Sequence, residues 1–187
     1  NAAEAQLLAS SLSEADEVLA TVSDILKERP GVVARRVAER EQRVRYYRCF
    51  AELLRQRGQL DESLLEVDKA FEVLGHPDRR REDTGENLHD HYAHLCVIRG
   101  QVFQTRAHYR EAVTAFEEAL ARLSDIEAKV SERVSIRASI AWNLLKLERL
   151  DAASEISEAV VSRYQEENMD DPVLANAVAR HFDTLGQ

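Results

Sequence analysis

Apolar residues recur every three to four positions along most of the chain, the spacing of one helix face. Ser11-x-x-Glu14 has the pattern of a capping box and leads into Val18, Leu19, Val22, Ile25 and Leu26, before Pro30-Gly31 ends the run. A long helix is expected from about 32 to 57, with Val33, Val37, Val44, Tyr47, Phe50, Ala51 and Leu54 on its apolar side and Gly58 as its stop. The same reasoning predicts helices over 60–74, 87–105 and 109–123. A second capping box, Ser124-x-x-Glu127, opens a helix running to 147, and further helices cover 150–167 and 173–185. Asp171-Pro172 supplies an N-cap and a proline at the first position of the last of these. Residues 78–86 read as a charged loop, and no strand is expected.

The helices fall into pairs, about 32–74, 87–123 and 126–167, with 1–29 and 172–187 as flanking half-units. After each short polar turn comes Leu60, Tyr109 or Leu150, and three residues later a small residue, Ser63, Ala112 or Ala153. Seven positions further on, the first two pairs carry Ala70 and Ala119. Upstream lie Phe50-Ala51-x-x-Leu54, Arg99-Gly100-x-x-Phe103 and Ile140-Ala141-x-x-Leu144. Small residues at such places let paired helices approach closely, and large ones fill the gaps between them.

This pattern resembles the tetratricopeptide repeat, W-x2-L-G-x2-Y followed by A-x3-F and A. Gly100, Phe103, Ala112, Phe116 and Ala119 hold family places in order. Three departures stand out. Equivalent points lie about 49 and 41 residues apart, where the family spaces them by about 34, and Arg99 stands where the family has Leu. Ser157 replaces the large residue in the third pair. The resemblance implies an all-α, right-handed α-solenoid of antiparallel helix pairs, with helices longer than the standard repeat, forming one domain over 1–187. A closed helical bundle is the alternative.

Composition agrees with helices: among 187 residues there are six Gly and three Pro, too few for the turns of an all-β or Rossmann-type fold. No apolar run reaches the roughly 18 residues of a membrane span. The net charge of −9 argues against a general nucleic-acid binder. It is unevenly spread: residues 27–57 carry ten bases and four acids, while residues 1–26 carry five acids and no base. Cys49 and Cys96 have no C-x-x-C spacing and read as free, buried thiols in a reducing, cytoplasmic setting. The start at Asn1-Ala2 and the stop at Leu185-Gly186-Gln187 suggest a piece of a longer protein.

Candidate chemistry is sparse. His89, Asp90, His91 and His94 have the residue types of a zinc site; the competing reading is a solvated first helical turn. Arg79-Arg80-Arg81 has the charge to bind phosphate, but Asp78, Glu82 and Asp83 interleave it. No nucleophile elbow, phosphate loop or kinase motif occurs, so no catalytic residue and no cofactor is expected.

In tetratricopeptide domains the first helix of each pair lines a concave groove. Carried over, the resemblance places Arg45, Arg48, Glu52, Arg55 and Gln56 there. It adds His94, Val97, Gln101 and Gln104, then Ser135, Ala138, Trp142, Leu145 and Lys146. The family's carboxylate clamp is not matched by Arg48, Glu52, Ile98, Ser135 and Ser139. Trp142 reads either as an exposed hot spot or as packed on a neighbouring helix. Arg45, Arg48 and Arg55 form either a carboxylate-binding stripe or one neutralised within the chain by Glu41, Glu52 and the flanking acidic helices. The expectation is a non-catalytic protein-interaction or regulatory module of a bacterial signalling protein, beside an output domain such as a diguanylate cyclase or transcriptional regulator. Its partner is a protein or peptide, acidic in character, or a second copy of the chain. The rival is a small-molecule or metal sensor.

Overall fold

The computed structural model describes residues 37–75, 86–123 and 130–167. All six helices among them belong to an all-α fold, and no strand occurs among the described residues. They are α1 (Val37–Gln56), α2 (Leu60–Leu74), α3 (Glu86–Thr105), α4 (Tyr109–Leu123), α5 (Val130–Lys146) and α6 (Leu150–Glu167). The expected bounds of α2, α4 and α6 coincide with these. The capping boxes at 11–14 and 124–127, the 79–81 arginines, and the helices over 11–29 and 173–185 lie outside the described residues. The chain divides into two compact units, Asn1–His91 and Tyr92–Gln187.

In the first unit, α1 and α2 pack together antiparallel. Ser63, Glu66, Val67, Ala70 and Leu74 are buried at the three- and four-residue spacing of one helical stripe. Ser63 Oγ donates to the Ala51 carbonyl at 2.8 Å, a contact that a larger residue at 63 would prevent. At the other end, Arg40 Nε donates to the Val73 carbonyl at 2.7 Å, and its Nη2 to that of Leu74. These carbonyls belong to the last turn of α2, where a helix leaves acceptors unpaired and favours a cation.

In the second unit, α3, whose residues up to His91 belong to the first, forms the next antiparallel pair with α4, and α5 and α6 form the third. Gly100 is buried against the Phe116 ring, so close that a Cβ at 100 would lie 2.8 Å from it. Arg99, which departs from the family pattern, pairs with Glu118 on α4, and Cys96 Sγ donates to the same carboxylate at 3.6 Å. Val134 of α5 and Val160 of α6 form a buried contact with Val130 beside it. Ala112 and Ala153 are 0% and 6% exposed, as small residues at tight crossings should be.

The three pairs share one junction. Gly58, Ala107 and Glu148, each two residues before a second helix, have φ of 75°, 58° and 59°. In each, that residue's N–H donates to the carbonyl three back (Arg55, Gln104, Leu145), and the next N–H to the carbonyl five back (Leu54, Phe103, Leu144). This is a Schellman closure. The carbonyl of that following residue, Gln59, His108 or Arg149, then accepts the first bond of the new helix, from Ser63, Ala112 or Ala153. One residue thus ends one helix and caps the next.

Candidate partner-binding faces

In the second unit, two side-chain contacts tie α3 to α5. His94 Nε2 lies 2.7 Å from Glu132 Oε1. Ten residues further along α3, Gln104 Oε1 accepts from Asn143 Nδ2 at 2.9 Å. The partners climb both helices together, so α3 and α5 run parallel. Val97, Gln101, Gln104, Ser135, Ala138, Trp142 and Leu145 are all partly exposed, and Lys146 is exposed. Trp142 packs on a neighbouring helix, one of its two expected readings. Its ring meets Tyr109 edge-on at 5.7 Å, Lys146 Nζ sits 5.3 Å from its centre, and it stays partly open to solvent.

Asn143 was not anticipated as a site residue. It is 0% exposed and occupies the place held by Leu53 and Val102 in the first two pairs. Its Nδ2 also donates to the Ser139 carbonyl at 2.7 Å, while its Oδ1 is buried without a hydrogen-bond partner. Aligning the three first helices exposes this polar substitution. The bond to Gln104, 39 residues away, carries no local signal.

In the first unit, Arg45 is exposed and Arg48 partly so. At Arg55 the pairing follows the neutralised reading of the stripe. Its Nε and Nη2 donate to Glu52 Oε2 and Oε1 at 2.9 and 2.6 Å, and Gln56 donates to the same carboxylate. Burial opposes the Glu52 charge, but the bonds from Arg55 and Gln56 and the Arg55 charge outweigh it, so the carboxyl sits below its usual range. Glu52 therefore neutralises Arg55, three residues along one helix face, and the stripe reduces to Arg45 and Arg48.

The histidines take separate partners. His91 is 7% exposed with Nε2 3.9 Å from Glu41 Oε1, and His94 faces Glu132. The His89 side chain lies outside the described set. No group of three or more potential metal ligands occurs among the described residues.

The cysteines need one correction. Cys96 is buried as expected, and burial pushes its thiol up to about 12, Glu118 adding to the shift and Arg99 opposing it. Cys49 is exposed. It stands two residues before buried Ala51, about 200° around the helix at 100° per residue, which turns it to the outer side of α1.

No helix among the described residues is long and apolar enough to cross a membrane. No protein-family model matches the sequence, and no match was found among curated proteins or solved structures.

Proposed function

We propose that the chain is a non-catalytic protein-interaction module built as a tetratricopeptide-like, right-handed solenoid. Its α3–α5 face receives an extended segment of a partner protein. The observation that carries this reading is the thrice-repeated junction at Gly58, Ala107 and Glu148. A recurring junction makes the helix pairs equivalent units, and α3 and α5, the first helices of successive units, run parallel as stacked repeats require.

The residues on that face suit a peptide. Gln101 presents an amide group, and Gln104 its amide Nε2, able to pair with a peptide backbone. Trp142 offers a flat apolar surface steadied by Tyr109, and Lys146 beside it favours an acidic residue in the ligand. Aromatic anchors of this kind dominate protein interfaces. Such a module serves a larger signalling or regulatory protein by recruiting the partner on which an attached output domain acts.

Because Trp142 is the only tryptophan, its fluorescence reports the face directly. Peptides selected from a random display library should shift that emission on binding and lose affinity at least tenfold with Gln101→Ala. They should also lose binding to Trp142→Ala, measured by polarisation of labelled peptide. Selected peptides that leave the emission unchanged and bind both variants normally would refute the site.

A further inference from the structure

The first unit carries unlike charge on two separate faces of its helix pair. α1 buries Val44, Ala51, Leu53 and Leu54, and α2 buries Ser63, Glu66, Val67, Ala70 and Leu74. At 100° per residue, Gln42, Arg45, Cys49 and Gln56, all exposed, lie on the side of α1 turned from Val44, Ala51 and Leu54, next to buried Leu53, and the partly exposed Arg48 lies about 60° round from Arg45, towards the Val44 side. The side of α2 away from α1 holds Leu65, Asp68 and Glu72, also exposed.

Leu65 is 55% exposed, one of two large apolar side chains so placed among the described residues. Neighbouring charges are satisfied locally, Arg55 by Glu52 and Lys69 by Glu66. Arg45, Arg48, Asp68 and Glu72 form no ion pair among the described residues.

We infer that the first unit stacks head to tail on the first unit of a second copy. The Arg45 and Arg48 face of α1 meets the Leu65, Asp68 and Glu72 face of α2. The occupant is a second copy because the chain itself supplies both complementary faces, and because one lies along a flank of α1 and the other on the side of α2 away from α1, so they cannot meet within one helix pair. A two-fold dimer sets a face against itself and opposes like charges, whereas head-to-tail contact joins unlike ones. Guanidinium forks match carboxylates, and Leu65 gives the contact an apolar centre. Each added copy leaves one face open, so growth continues unless the rotation closes a ring. This contact is independent of the α3–α5 face, and its test contains no peptide.

Sedimentation velocity of the whole chain tests it. Near 0.01 M salt, where the screening length is about 30 Å, the protein should form a concentration-dependent series of oligomers. Near 1 M salt, where that length is about 3 Å, it should be monomeric. Arg45→Gln with Arg48→Gln removes one face, and Asp68→Asn with Glu72→Gln removes the other. Each double variant alone should be monomeric with an unchanged melting curve. Mixed, they should form a one-to-one dimer and nothing larger, since each retains the face the other lacks.

Cys49 adds a test of register. Leu65→Cys should give a ladder of disulfide-linked oligomers at low salt, and Cys49→Ser should remove every rung above a dimer. A wild-type chain that stays monomeric at low salt overturns the inference. So does a single discrete dimer, a monomeric mixture, or a ladder that survives Cys49→Ser.

Discussion

Gly100→Ala tests the packing at the centre of the second unit. A Cβ there would lie 2.8 Å from Phe116 Cε1 and 2.9 Å from Cδ1 and Cζ, whereas carbon pairs settle at about 3.5–4.0 Å. The new methyl and the ring must therefore separate by roughly 0.7 Å or more. The ring is 1% exposed and cannot swing out to solvent. Overpacking of this kind costs about 1–3 kcal/mol. Against it stands the helix propensity gained on replacing Gly by Ala, about 1 kcal/mol. The net expectation is destabilisation by up to about 2 kcal/mol, measured by urea unfolding followed through Trp142 emission. Combining Gly100→Ala with Phe116→Leu isolates the clash, because the branched side chain leaves room that the ring does not. The pair should show a favourable coupling of about 1 kcal/mol or more. Stabilisation by about 1 kcal/mol in the single variant would refute the argument, leaving propensity alone at work.

The shared junction predicts opposite responses. Ala107→Gly and Glu148→Gly should each stabilise by about 0.5–1 kcal/mol, because positive φ suits glycine, while Gly58→Ala should destabilise by about 1 kcal/mol, all read from urea midpoints. Gly58 has nothing within 4 Å of an added Cβ, so that cost is conformational rather than steric. The depressed Glu52 carboxyl contributes stability that is present above its unfolded value and lost as pH falls through its folded value. Its exposure limits the effect to under about 1 kcal/mol. Acid unfolding of Glu52→Gln should show a shallower loss below pH 4.5, the ordinary value for this group; an unchanged acid limb would exclude the Arg55 pairing. At neutral pH a thiol reagent should label Cys49 promptly and Cys96 only on unfolding, since Cys96 is buried with its thiol near 12. Equal labelling rates in the folded protein would contradict this.

Much of the helical layout was legible because each second helix carries its own evidence. Leu60–Leu74 and Tyr109–Leu123 follow polar turns and hold apolar residues at one-face spacing. Gly58 marks its junction by composition. Ala107 and Glu148 carry no such mark, and only alignment with Gly58 suggests that they adopt the same backbone. Ser63, Ala112 and Ala153 were readable as close-packed positions because a small residue recurs at one register.

The binding faces were less legible, and the reason is distance. Periodicity sorts residues around one helix, so the local Glu52–Arg55 spacing and the outward turn of Cys49 are present in a careful wheel. It does not say which helix lies opposite. The Gly100–Phe116 contact, the Glu132 partner of His94 and the Tyr109 edge on Trp142 join residues on different helices. Asn143 is the sharpest case. Helical spacing makes it a core position, and only the packing of α5 beside α3 supplies Gln104 as its partner. The sequence alone determines where the helices run and which side of each is apolar, because those follow from local geometry and burial. Tertiary structure decides which polar groups are paired and which remain to meet a partner, because that depends on residues far apart in the chain.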